Sequence, residues 1–180
     1  MNRLTRIEIA AGCQPHLVAE LVALQQSAFP PRMQFQDPAE YYREGLSDRF
    51  NVNVIARTPA GLIAGYLLAI PLDRVLAELR QHDPALQGNP RILYIDLIQT
   101  LPGRRQTVGL KSLMAGVCRE AGARGFDRLS AHVRTTTGLS RVMQRVMMGC
   151  CCLRRLDNWY DSGESFDYLE SMIRLQRRES

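Results

Sequence analysis

Apolar and polar positions change period several times along the chain, and each change marks an element. Leu4 to Ile9 alternates apolar with polar residues and predicts a half-buried strand. From Pro15 the apolar positions Leu17, Val18, Leu21, Val22 and Leu24 follow helical spacing, and Phe29-Pro30-Pro31 ends that helix. Asp37-Pro38 opens a second short helix, with Asp37 as N-cap and Pro38 in the first turn. Val52 to Arg57 and Leu62 to Ile70 are apolar strands joined by Thr58-Pro59-Ala60-Gly61, a hairpin signal. After Pro71, the positions Leu72, Val75, Leu76 and Leu79 predict a short helix inside a polar insertion that reaches Pro90. His82 and Asp83 lie in this insertion and are expected to be solvated.

Ile92 to Ile98, rich in β-branched and aromatic residues between Pro90 and Pro102, predicts a buried central strand. Leu110, Leu113, Met114, Val117, Cys118 and Ala121 then share a helix face, so a helix starts at or just before Gly109 and runs towards Gly125. Phe126 to Val133 alternates like a strand. Strand, helix and strand in this order make a right-handed crossover and hence a parallel pair. Thr135-Thr136-Thr137 is expected to cap a helix bearing Leu139, Val142, Val146 and Met147 and stopped by Gly149. Cys151 to Trp159 and Ser165 to Leu175 read as two antiparallel strands about a turn at Asp161-Ser162-Gly163. The expected fold is mixed α/β (α+β): a mixed, mostly antiparallel sheet of six to seven strands flanked by helices, in the order β-α-α-β-β-β-α-β-α-β-β.

The 180 residues, 46% of them hydrophobic, suit one domain spanning 1–180. No apolar run approaches the roughly 20 residues that span a bilayer, and the N-terminus has no signal-peptide core, so a cytoplasmic protein without membrane contact is expected. Five cysteines, three of them consecutive at Cys150-Cys151-Cys152, match neither a disulfide framework nor a metal-ligand spacing. They are expected to be reduced thiols, buried or half-buried, and no metal is expected. The formal net charge of +5 is almost all arginine, and Lys111 is the only lysine. These arginines are dispersed without interleaved aromatics, so nucleic acid is not an expected partner.

One cationic cluster does stand out. The turn Pro102-Gly103-Arg104-Arg105-Gln106-Thr107-Val108-Gly109 leads into the long helix, with Lys111 one turn further on. A helix N-terminus presents unpaired N–H groups and partial positive charge, and three nearby cations suit a pyrophosphate better than a carboxylate. A solvated basic connection is the plainer reading of the same loop.

Gln106-Thr107-Val108-Gly109-Leu110-Lys111 resembles the Gln/Arg-x-x-Gly-x-Gly/Ala signature of the GNAT superfamily of acyl-CoA-dependent N-acyltransferases, with Lys111 in place of the second small residue. A shifted register, Arg104 to Gly109, also keeps an arginine and a final glycine. The element order agrees with that family over nearly the whole chain. The resemblance implies that the loop amides of Arg104, Arg105, Gln106, Thr107, Val108, Gly109, Leu110 and Lys111 hold the pyrophosphate of coenzyme A. It also implies that main-chain groups of Leu97, Ile98 and Gln99 pair with the pantetheine amides. The first two helices would form an acceptor wall, with Met33, Phe35, Tyr41 and Tyr42 as its apolar lining, although aromatics at this spacing also serve as core.

The implied reaction moves an acetyl group from acetyl-CoA to a primary amine by direct attack in a ternary complex. An alkyl amine with a pKa of about 10 must first lose a proton. Asp96, the only carboxylate on the central strand, resembles the family's acidic base, acting directly or through water. Flanked by Ile95 and Leu97, it is expected to be buried with a raised pKa. Asn158-Trp159-Tyr160-Asp161 resembles the segment carrying the family's tyrosine acid, which makes Tyr160 the candidate acid and Tyr168 the reserve. His132 is a second base or substrate-binding candidate, and a lone strand histidine also serves as core. The alternative is a catalytically degenerate acyl-CoA-binding or regulatory module. The acceptor is a small-molecule or peptide amine, and the sheet's edge strands leave a homodimer open.

Overall fold

The computed structural model describes residues 6–101, 106–136, 138–147 and 149–173, apart from the side chains of residues 32 and 106–108. Among the described residues there are seven strands, β1 (Arg6–Ile9), β2 (Val52–Arg57), β3 (Ile63–Pro71), β4 (Ile92–Thr100), β5 (Arg128–Arg134), β6 (Cys151–Leu156) and β7 (Phe166–Met172), and five α-helices, α1 (Pro15–Ala28), α2 (Pro38–Ser47), α3 (Leu72–Leu79), α4 (Gln106–Ala123) and α5 (Leu139–Val146). The strands form one open sheet in the order β1-β2-β3-β4-β5-β7-β6. The pairs β1–β2, β2–β3, β5–β7 and β6–β7 are antiparallel, and β4–β5 is parallel as the crossover requires. Among the described residues no helix is long and apolar enough to cross a membrane.

The chain divides into two compact units, Met1–Ala69 with Leu97–Val117 and Ile70–Asp96 with Cys118–Ser180. Local chemistry explains the elements of the first. Pro15 occupies the first turn of α1, and Asp37 Oδ1 accepts the N–H of Glu40 at 2.9 Å to cap α2. The β2–β3 hairpin turns at Gly61, whose φ of +86° favours glycine. Leu21, Leu24, Ile55, Leu67, Leu113 and Val117 are among its buried apolar side chains. Inside this core Asn51 and Asn53 each donate to Gly45 O, at 3.1 and 3.0 Å, and Tyr66 bonds Asn53, whereas the buried Gln25 side-chain amide has no hydrogen-bond partner among the described residues. In the second unit Leu72, Leu79 and Leu86 of the insertion pack with Ile92, Tyr94, Trp159 and Tyr168.

Several expectations need correction. Helix α4 begins at Gln106, three residues before Gly109, so Gln106, Thr107 and Val108 are helical. Strand β6 stops at Leu156 because Asn158, Tyr160 and Asp161 adopt left-handed φ of +56°, +50° and +54°, forming a 3₁₀ turn over Trp159–Asp161. Helix α5 is preceded by Gly138 at φ +70° with no side-chain cap. The Thr135 hydroxyl instead donates to Ser165 O at 3.0 Å, and that of Thr136 to Glu164 at 2.8 Å. Cys13, ahead of α1, is exposed; Cys151 and Cys152 are exposed on β6, the free edge of the sheet, and Cys118 and Cys150 are half-buried.

Gly116 of α4 tests the packing of the first unit. A Cβ there would meet Val54 Cγ1 at 2.7 Å and Ile7 Cγ2 at 2.9 Å, so Gly116→Val should lower the stability measured by urea unfolding by about 1–3 kcal/mol.

Candidate functional site

The segment proposed to hold a pyrophosphate falls at the junction of β4 and α4. Arg104 and Arg105 lie outside the described residues. Gln106, Thr107 and Val108 form the first turn of α4, Gly109 and Leu110 are buried, and Lys111 is exposed. Among the described residues a Cβ on Gly109 would meet Thr100 Cγ2, at an ordinary 3.6 Å. Amides at a helix start and an exposed lysine could hold an anionic diphosphate.

On β4, Leu97 and Gln99 are buried and Ile98 is half-buried. The Gln99 side chain is committed to Tyr42: Nε2 donates to the phenol oxygen at 3.0 Å, and Oε1 lies 3.2 Å from the hydroxyl. Tyr42 is fully buried, and burial, opposed by the bond to Gln99, pushes its phenol up to about 12. It is a core residue on the buried side of α2, where an apolar acceptor lining was expected. Met33, Phe35 and Tyr41 remain half-buried, with the Phe35 and Tyr41 rings 4.0 Å apart.

The second unit holds a polar cluster that the chain pattern did not reveal. Asp83, expected in solvent, is 1% exposed. Arg154 Nε donates to both Asp83 oxygens at 2.9 Å, and Nη2 also bonds Oδ2. Burial alone would raise the Asp83 carboxyl, but the bonds from Arg154 and His132 outweigh it and lower its pKa. His132 Nε2 lies 3.1 Å from Asp83 Oδ2, and His132 Nδ1 lies 3.1 Å from the Tyr94 hydroxyl. Trp159 stacks on the imidazole at 3.9 Å and 21°, and Tyr168 lies 4.8 Å away on β7 with Arg154 above its ring. The His132 side chain is wholly buried, which depresses its pKa to about 4 against the opposing pull of Asp83. It cannot touch an acceptor directly.

Tyr160 is 45% exposed on the 3₁₀ turn and donates its hydroxyl to Glu78 Oε1 at 2.7 Å. Partial burial first, and then Glu78, raise its phenol pKa. The His82 ring lies 4.0 Å from that of Tyr160, so the insertion touches Tyr160 through Glu78 and His82 while Asp83 is anchored behind them. Asp96 is exposed and not buried, which removes the burial argument for a raised pKa. It alternates onto the same face of β4 as Tyr94, and its charge acts on both Tyr94 and Tyr160. Asp83, Arg154, Glu78 and Tyr94 were missed because each meets its partner only through pairing of strands and insertion far apart in sequence. For Asp83 and Arg154 the separation is 71 residues.

No protein-family model matches the sequence, and no curated protein matches it. Solved structures do resemble the fold. An aminoglycoside 6'-acetyltransferase type Ii superposes with a TM-score of 0.74 at 15% identity, over 95% of this chain and 99% of that one. An aminoglycoside 6'-N-acetyltransferase complexed with coenzyme A gives 0.71 at 14% identity, over 95% and 98%. The ribosomal-protein-S18-alanine N-acetyltransferase from Escherichia coli gives 0.67 at 14% identity, over 98% and 99%. The chain has the fold of the GNAT acetyltransferases.

Burial of neutral His132 sets a pH dependence of stability. Its ordinary pKa of 6.5 falls to about 4 in the folded chain, so between these values the unfolded chain binds a proton that the folded chain does not. Stability should fall by about 3 kcal/mol as pH drops through this window. The groups facing the ring are Asp83, Tyr94, Arg154 and Tyr168, and the Asp83 contribution is lost only at lower pH, below its unfolded value. Urea melts from pH 7 to 4 should show the loss, and His132→Gln should flatten it whatever its own stability.

Proposed function

We propose that the 180 residues form one GNAT-type N-acetyltransferase domain that transfers an acetyl group from acetyl-CoA to a primary amine by direct attack in a ternary complex. What carries the reading is the parallel ladder of β4 and β5. It covers Ile92↔Arg128, Leu93↔Leu129 and Tyr94↔Ser130, whereas β4 runs on to Thr100 and β5 to Arg134. Strand backbone beyond the ladder suits an extended ligand that bonds main-chain amides, as a pantetheine arm does. The complex of a fold relative with coenzyme A supports the same choice of acyl donor.

In this reading the main chain of Leu97, Ile98 and Gln99 pairs with the pantetheine, and the start of α4, with Arg104, Arg105 and Lys111, holds the diphosphate. Asp96, exposed on β4, takes a proton from the incoming ammonium directly or through water. The neutral amine attacks the thioester carbon, the carbon–sulfur bond breaks, Tyr160 gives its proton to the thiolate, and the surplus proton on nitrogen returns to the Tyr160 phenolate. Tyr160 can serve only after exchanging its bond to Glu78 for one to sulfur. Phe35 and Tyr41 offer apolar contact to the acceptor.

Acetyl-CoA should raise the melting temperature, and a panel of an aminoglycoside, a polyamine, an amino-acid ester and a short peptide should reveal thiol release with at least one amine. Stabilisation without thiol release from any of them would favour the degenerate binding module, for which Lys111 at a small-residue position is the motive. Tyr160→Phe should lower turnover by about 10²-fold with little change in acetyl-CoA affinity; unchanged turnover removes Tyr160 as the acid. Replacing Arg104 and Arg105 together with Ala should weaken coenzyme A binding in calorimetry, and equal affinity would move the diphosphate elsewhere.

A further inference from the structure

A buried phenol, imidazole and carboxylate stand in line behind the residues assigned above. Tyr94 is 4% exposed and is the last β4 residue of the parallel ladder, two positions before exposed Asp96 on the same strand face. Burial first, and then the Asp96 carboxylate on the same strand face, raise its phenol pKa.

The direction of each bond in the line follows from Asp83. A carboxylate that also takes the Arg154 guanidinium can only accept, so His132 Nε2 carries the hydrogen of their 3.1 Å bond. Neutral imidazole then has a bare Nδ1, and Tyr94 donates its O–H to it across 3.1 Å. The ring cannot turn to offer another nitrogen, because Trp159 stacks on it at 3.9 Å. The His132 backbone N–H also bonds the phenol oxygen, so with its proton committed inwards Tyr94 has one remaining lone pair for a donor arriving from outside.

We infer that Tyr94 is a further catalytic residue, whose oxygen accepts an N–H of the attacking amine, with His132 and Asp83 as positioning residues behind it. The inference rests on the N-acetyltransferase reading. As nitrogen bonds to the thioester carbon and the carbon–sulfur bond breaks, with its electron pair going to sulfur, nitrogen carries one proton too many. That proton passes to the Tyr94 oxygen while the phenol proton moves to His132 Nδ1, and the resulting imidazolium is stabilised by Asp83. Sulfur receives a proton from Tyr160. The imidazolium then returns its proton through Tyr94 and water to the Tyr160 phenolate, so the chain ends with its starting charge.

Tyr94→Phe removes one oxygen and keeps the ring, and with the amine that gives the greatest thiol release in the panel it should lower kcat by about 10- to 100-fold. The KM for acetyl-CoA should not change, and His132→Gln should lower kcat in the same way while flattening the acid limb of the rate profile. A purely structural role would instead lower the melting temperature and leave the kcat of folded enzyme unaltered. Nitrogen-15 spectra of the imidazole supply a readout without turnover: wild type should show the neutral Nε2–H form at pH 6.5, with an Nδ1 signal that shifts in Tyr94→Phe. An Nδ1–H form, or an Nδ1 signal that does not respond, overturns the relay. Turnover in wild type that persists within twofold in Tyr94→Phe overturns the relay alone. Acetyl-CoA binding with no turnover by wild type overturns the relay and the transferase reading together.

Discussion

The buried carboxylate of Asp83 ties three elements of the second unit to one another. Asp83, 1% exposed, would cost several kcal/mol as an isolated charge, and Arg154 and His132 offset that cost with bonds to both of its oxygens. These partners stand on β6 and β5, 71 and 49 residues away in sequence, so one side chain ties the insertion after β3 to two strands. Closing such long loops costs little more than closing short ones, whereas leaving either partner unmatched would strand a charge or a ring nitrogen in the core. The neighbours of Asp83 inherit this fixed position. His82 and Glu78 reach Tyr160, and the Tyr94–His132 bond is held in line.

Tyr160 shows how such anchoring can sustain strain. A tyrosine at φ +50° between Asn158 and Asp161, both also left-handed, is disfavoured by about 1–3 kcal/mol. The turn survives because its polar groups are satisfied: Asn158 Oδ1 accepts the N–H of Gly163 at 2.8 Å, Ser165 donates to Asp157 at 2.6 Å, and Tyr160 donates to Glu78. The direction of the Tyr160 side chain is thus set by a constrained stretch of backbone.

Most of the fold was legible because its signals are local. Pro15, the Asp37-Pro38 cap and the Gly61 turn each act within a few residues and stand where they were expected. The site was legible only in part. Ile95 and Leu97 suggested a buried Asp96, yet in a strand the residues before and after point to the opposite face, so their burial carries no information about the residue between them. Tyr94 on Asp96's own face is buried while Asp96 is exposed, so the cover over that face ends between them. Asp83 gave no local signal, since a lone aspartate between a histidine and a proline looks like any surface loop. The consecutive cysteines misled for a similar reason: the place of β6 at the free edge of the sheet is a property of the strand order, which no window of neighbours contains.

The stacked pair of Trp159 and His132 gives the molecule an optical reporter of its own. Trp159 is the sole indole of the chain and lies face to face with the imidazole of the buried network. A protonated imidazole in such contact quenches indole emission, and loss of the stack exposes the ring to water and shifts its colour. Fluorescence of the unlabelled protein thus follows one named interior contact, free of the averaging that several tryptophans would impose.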